Sequence, residues 1–310
     1  MRVLLFFSTV AASFLLAAPA AIGHPAETVA EGAFHFWKPS DGVVTWTSAG
    51  VRIRIEPAPC RTPPQTEGCS FDHVNNQPLV TVTAPGLPDY RTLGDSQSSF
   101  YRIAVARLQP GDSRPGIVLE NQSGGSGGDV REQILLPDGS GYREQILPGY
   151  LQGELPAKIS DLSGDGVADF VLGDGAFDSA FGCNACTPRP PVVLSFRNGM
   201  AVDVSRERAY RGLFQREMAK LRTRCFDRTD ADRNGSCAAY VAVAARAGRY
   251  ATAWRQMLRH YNPKGVDFRE GCDMPRARWP GGDCPAGHRT PSPPFPESLA
   301  AFLRAAGYID

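Results

Sequence analysis

Oxygen-bearing side chains recur at every second position from Asp161: Asp161, Ser163 and Asp165, with Gly166 next and Asp169 at the ninth place. A loop with that spacing can turn its oxygens inward around one hard cation. Calcium takes oxygen ligands, and the glycine permits the sharp reversal such a loop requires. Phe170, Val171 and Leu172 follow directly, so the loop runs into an apolar strand and not into a helix. The chemistry is cation binding on a β scaffold, which by itself names no reaction. The competing arrangement is a metal-free Asx-turn hairpin, in which the aspartates accept hydrogen bonds from backbone amides. Asp174 and Asp178, just downstream, read as ordinary turn residues.

A second stretch, Asp230, Asp232, Asn234 and Gly235, repeats the oxygen spacing between two helical patterns. It looks like half of an EF-hand loop, but its twelfth position is Val241, where a bidentate Glu is needed. A helix start with its turn is the better reading. Ser123 to Gly128 is glycine-rich, lacks the Lys-Ser/Thr ending of a phosphate loop, and reads as a strand connection. The histidines at 24, 35, 73, 260 and 288 are scattered, and neither a Gly-x-Ser-x-Gly elbow nor a His-Glu-x-x-His motif occurs. A carboxylate pair drawn from Asp165, Asp169 and Asp174 can in principle run glycoside hydrolysis. The same residues are better explained as metal ligands, because a bound cation would hold them ionised and prevent general-acid work. No catalytic motif is found.

Composition sets the compartment. Arg2 precedes an apolar run from Val3 to Ala18, and Ala18-Pro19-Ala20 and Ala21-Ile22-Gly23 are small-residue cleavage sites, so residues 1–23 read as a secretory signal. The run is shorter than the roughly 20 residues a membrane span needs, and no later segment is apolar enough to span, so the mature chain is expected to lack an anchor. The net charge of +1 and the absence of a basic run argue against a nucleic-acid partner. Only four of the 33 basic residues are lysine, a bias that fits a bacterium with a GC-rich genome. Eight cysteines fall in near pairs, Cys60 with Cys69, Cys183 with Cys186, Cys225 with Cys237 and Cys272 with Cys284. In an exported protein these read as neighbour disulfides. Cys183 and Cys186 alone have the spacing of a redox or zinc pair, but Thr187-Pro188-Arg189-Pro190-Pro191 follows where a redox motif wants a helix.

The elements that must position these groups come in two blocks. From 24 to 204 short runs of β-branched and aromatic residues alternate with turns. Tyr101, Ile103 and Val105 oppose Arg102, Ala104 and Ala106, while Pro137-Asp138-Gly139 and Arg197-Asn198-Gly199 are hairpin turns. This predicts an antiparallel meander, sandwich or propeller-like. From 205 to 310 the pattern is helical: 206–224, an alanine-rich 236–247 closed by Gly248, 251–261, and a last helix from Pro296 to Gly307. The pair around Gly248 reads as a packed helical hairpin and not as a peptide-binding repeat. Residues 264–294, rich in Pro, Gly and Arg, read as a disulfide-closed loop.

The 161–169 loop with its following aliphatic strand resembles the calcium loops of FG-GAP and VCBS repeats, known from integrin-like propellers. The resemblance implies that Asp161, Ser163, Asp165 and Asp169 give side-chain oxygens to Ca2+ and that Val167 gives its backbone carbonyl. One clear copy is present, which suits a reduced propeller-like sheet and not a closed ring. A wider resemblance, from Tyr101 to Val204, is to small exported bacterial proteins of unknown function that carry a single such loop. It is borne by Val105-Ala106-Arg107-Leu108, Gly116-Ile117-Val118-Leu119, Ser123-Gly124-Gly125, and Phe177 and Phe181 after the calcium loop. That family often continues the Gly-Gly pair with Ala-His-Cys-Cys, whereas Ser126-Gly127-Gly128-Asp129 stands here, so no His or Cys role carries over. The expected protein is a periplasmic or extracellular, calcium-binding, disulfide-stabilised module that binds a ligand or an envelope protein. The alternatives are an envelope-polymer or glycan hydrolase with structural calcium, and a partner-binding protein acting through its helical region.

Overall fold

The computed structural model describes residues 26–60, 77–95, 98–123, 130–149, 151, 156–182, 187–265, 271–274, 284–291 and 293–310. The expected signal segment, Cys69, the Cys183–Cys186 pair and most of the glycine-rich 123–128 stretch lie outside the described residues.

The chain is mostly β with a helical C-terminal region. Strands β1 (Glu27–Thr28), β2 (His35–Trp37), β3 (Val44–Ser48), β4 (Val51–Pro57), β5 (Pro78–Thr83) and β6 (Tyr90–Leu93) come first. They are followed by β7 (Ser98–Ala106), β8 (Gly116–Ser123), β9 (Val130–Asp138) and β10 (Gly141–Ile146), then β11 (Asp169–Gly173), β12 (Pro191–Arg197) and β13 (Met200–Asp203). Helices α1 (Arg211–Phe226), α2 (Arg233–Arg246), α3 (Tyr250–Met257) and α4 (Phe295–Ala305) complete it, with a short ladder of β14 (Gly271–Cys272) and β15 (Arg289–Thr290) before the last helix.

Three sheets stack face to face, antiparallel throughout except that the edge strand β1 runs parallel to β3. The first sheet has the order β1-β3-β4-β5-β6, the second β10-β9-β8-β7-β2 and the third β11-β12-β13. Strand alternation decides what each interface contains. Ile53, Ile55, Val80 and Val82 of the first sheet share one core with Ile103, Val105, Ile117 and Leu119 of the second. The opposite face of the second sheet puts Val118, Ile134 and Leu136 against Phe170, Leu172, Leu194 and Phe196 of the third. The outer face of the third sheet, through Val193, joins the helical core of Phe214, Leu221, Leu299 and Leu303. At the β12–β13 hairpin Asn198 and Gly199 have φ of 52° and 74°, the pair of positive values that a two-residue hairpin turn matched to strand twist demands.

In the helical layer α2 is the central element, buried at every position from Asn234 to Ala244. Its alanines let neighbouring helices approach closely. The disulfide Cys225–Cys237 staples α1 to α2, and Cys272–Cys284 closes the loop before β15, so both neighbour pairings in this region are present. Cys60 is also disulfide-bonded. No helix among the described residues is long and apolar enough to cross a membrane.

Candidate functional site

The 161–169 loop enters β11, and the pleat of that strand sorts its side chains. Phe170 and Leu172 point into the core shared with the second sheet. Asp169, one residue out of phase, lies opposite Ser195 and faces the helices. There the buried Asp169 carboxylate accepts hydrogen bonds on Oδ2 from the amides of Leu162 and Ser163, at 2.8 and 3.0 Å, and on Oδ1 from the Tyr210 hydroxyl at 2.9 Å. Burial first, and then the Asp169 carboxylate, push the Tyr210 hydroxyl pKa up. Tyr210 sits immediately before α1, so the loop is tied to the helical layer.

Asp161 is the exposed hub of the turn. Its Oδ1 accepts from Ser163 Oγ and from the Gly164 and Asp165 amides, and its Oδ2 accepts from the Gly166 amide at 2.7 Å. These donors, Gly166 foremost, hold the Asp161 carboxyl below its usual pKa. Asp165 Oδ1 accepts from the Val167 amide at 2.9 Å. Gly164 and Gly166 take φ of 82° and 84°, so the reversal expected at Gly166 occurs there and also two residues earlier.

The five predicted residues therefore belong to one turn, with its carboxylates engaged by amides in Asx-type bonds. Among the described residues no three His, Cys, Asp or Glu side chains converge as a metal-holding group. The donor set itself, three carboxylates, a hydroxyl and a peptide carbonyl, is all oxygen and has the chemistry a hard cation takes. An Asp oxygen offers two lone pairs, and Asp165 Oδ2 receives no hydrogen bond among the described residues, so acceptor capacity remains in the turn.

The neighbouring acids have structural partners. Asp174 caps a single helical turn by accepting from the Ala176 amide, and its Oδ2 accepts from the Tyr308 hydroxyl at 2.8 Å. Asp178 is ion-paired with Arg189. Asp230 Oδ1 accepts from the Asp232 amide, Asp232 occupies the N-cap position of α2, and Asn234 exchanges hydrogen bonds with Asn262, so this segment is a helix start. The described histidines stay apart. His35 leans on Trp46, His260 stacks on Phe226 at 3.8 Å, and His288 pairs with Asp273.

Beside the loop lies a feature the sequence reading missed. Arg102, Glu120 and Glu132 are direct cross-strand partners on β7, β8 and β9. All three are at most 4% exposed. Arg102 donates to Glu120 and to the Pro156 carbonyl, and its guanidinium lies 4.1 Å from the centre of the Phe34 ring. Glu120 Oε1 and Glu132 Oε2 are buried acceptors that receive no donor among the described residues. Two carboxyls buried side by side disfavour having both ionised, so the neutral form of one is favoured. Burial, with Glu120 alongside, pushes Glu132 well above the usual glutamate pKa, while Glu120 is the member paired to Arg102. The signal was a charged residue at a core-facing place in each strand: Glu120 is in phase with Val118, and Glu132 with Ile134.

Glu132 lines a cavity of about 500 Å³ that runs along the edge of β11 and under α1, with Leu162 and Asp169 of the oxygen loop in its wall.

Residues 214–307 match the family model described as the sll0997 C-terminal domain. The match spans most of α1 and all of α2 to α4, and includes both described disulfides. The chain is 26% identical over 222 residues to a protein named probable thylakoid lumen protein sll0997 from Synechocystis sp., covering 67% of this chain and 60% of the relative. It is 24% identical over 245 residues to uncharacterized protein y4bJ of Sinorhizobium fredii, covering 75% of this chain and 37% of that protein. The chain thus spans less than two thirds of the length of either relative. No solved structure matches.

Proposed function

We propose that this chain is an exported, disulfide-held binding module whose 161–169 loop is a calcium-responsive clasp between the β layers and the helices. The observation that carries the reading is the double role of Asp169. It is the ninth residue of the oxygen loop and also the acceptor for Tyr210 at the head of α1. Whatever organises the loop therefore bears on how the helical layer is held. The resemblance to FG-GAP and VCBS loops supports Asp161, Ser163, Asp165, the Val167 carbonyl and Asp169 as the residues that would hold the ion. Calcium, when bound, supplies the positive charge that offsets three clustered carboxylates. Export is supported by the apolar run from Val3 to Ala18, by the disulfides, and by the likeness to a protein named for the thylakoid lumen.

The test is thermal unfolding of the oxidised protein with millimolar calcium and with chelator, for wild type and Asp165→Ala. Asp165 is exposed, and its one described structural bond from Oδ1 is local, so the variant keeps the fold. Binding to the folded state alone raises stability by mass action, and a site of this kind has an expected dissociation constant of about 10⁻⁴–10⁻³ M. Calcium is expected to raise the Tm of wild type and leave the variant unchanged. Identical melting of both proteins in both conditions would make the loop a metal-free turn.

A further inference from the structure

We propose that the cavity between β9, β11 and α1 binds a small organic anion with an apolar body, its charge held at a cationic rim formed by Lys158 and Arg216. The inference goes beyond the calcium clasp and does not depend on it.

The volume of about 500 Å³ is that of a small-molecule site. Much of the wall is apolar, with Phe34, Leu151, Ile159, Phe170, Leu172 and Leu213 all contributing. The charged groups sort by whether they are already paired. Arg189 is engaged by Asp178, Lys220 pairs with Glu217, and the Asp169 oxygens receive Tyr210 and two amides. Lys158 and Arg216 line the same cavity, are exposed, and make no ion pair among the described residues. The floor does not cancel them. Glu132 is buried beside Glu120, where burial favours its neutral form, and Glu120 faces Arg102. Among the described residues the cavity therefore presents buried acid groups on its floor, hydrocarbon along its sides, and more positive than negative side chains where it opens. A largely apolar pocket with an excess of one sign of charge at its mouth concentrates ligands of the opposite sign. A neutral apolar molecule would leave the rim cations without a partner, and an inorganic anion would leave the walls wet.

The probe is anilinonaphthalene sulfonate, an apolar body with one anionic group. Its fluorescence is titrated with the full oxidised protein in chelator, so that the calcium reading and this one fail separately. Decanoate and decanol serve as displacing ligands. Saturable binding of one probe per chain is expected, displaced by decanoate and far less by decanol. The exposed charge reversals Arg216→Glu and Lys158→Glu are expected to weaken binding by about fivefold each, with unchanged melting curves. Absence of saturable binding would overturn the proposal. So would wild-type affinity in both reversals, or equal displacement by decanol.

Discussion

The Tyr210 hydroxyl donates to Asp169 Oδ1 at 2.9 Å, and the Tyr308 hydroxyl donates to Asp174 Oδ2 at 2.8 Å, so the two acids that bracket β11 are each held by a tyrosine from the helical region. The strand places them: Asp169 is its first residue and Asp174 follows its last. The helical layer is thereby pinned at both ends of the strand that the oxygen loop feeds.

Tyr210→Phe removes the donor and leaves a buried carboxylate oxygen short of a partner, while keeping the ring in the core. A hydrogen bond to a charged group contributes about 1.5–3 kcal/mol, so urea unfolding of the variant is expected to show a loss of that size. The slope of the transition should stay constant, because the surface exposed on unfolding is unchanged. A loss below about 0.5 kcal/mol would place the clasp elsewhere.

The raised pKa of Glu132 makes stability depend on pH. Below the ordinary glutamate value of 4.5, folded and unfolded chains both hold the proton, and the contribution of the pair is fully present. As pH rises past that value the unfolded chain releases it, while Glu132, with its raised pKa, keeps it in the fold. Stability then falls with pH, at up to about 1.4 kcal/mol per pH unit for one proton, until the folded group also titrates. Glu132→Gln keeps a neutral donor toward Glu120 and removes the Glu132 share of this dependence, leaving that of Glu120, whose pKa burial also raises. Melting curves from pH 5 to 8 should therefore show the variant gaining on wild type as pH rises. Glu120→Gln is expected to lose about 3–5 kcal/mol, because it strands the buried Arg102.

The layers were readable where one residue type enforces one geometry. The sequence Arg197-Asn198-Gly199 marked a hairpin because positive φ is needed at two successive residues, and Gly248 and Gly307 marked helix ends for the same reason, at φ of 71° each. The stacking of three sheets was not readable, because a buried meander strand has the same alternation whichever sheet it packs against. The candidate site divides in the same way. The oxygen loop is local in sequence, so its residues were found. The acid pair arises from register between β8 and β9, and the tyrosine clasp joins residues 41 positions apart, so neither leaves a local pattern. A lone charge in phase with apolar neighbours, as at Glu120, was the one available clue.

The Cys225–Cys237 bond closes a short loop between α1 and α2 with a sequence separation of 12. Loop-closure entropy for that separation corresponds to roughly 3 kcal/mol. The double variant Cys225→Ala/Cys237→Ala is expected to lose about that amount in chemical denaturation, and reductant should then have a smaller effect on it than on wild type. Equal sensitivity of both proteins to reductant would assign the redox-dependent stability to the other disulfides.

Gly166 isolates the backbone requirement of the oxygen loop from its charge. A Cβ added there would meet nothing within 4 Å, so no clash complicates the substitution, and the cost is that of holding an ordinary residue at φ of 84°. Gly166→Ala is expected to destabilise the folded protein by about 1–2 kcal/mol. Gly166→Asn should lose less, since Asn tolerates left-handed backbone better than Ala. The Gly166 amide donates to Asp161 Oδ2, and either variant can keep that bond only by keeping the strained turn. If Ala and Asn lose equally, the turn has relaxed to another conformation. In that case the calcium response of wild type should be absent from both variants, which the melting experiment with and without chelator would detect.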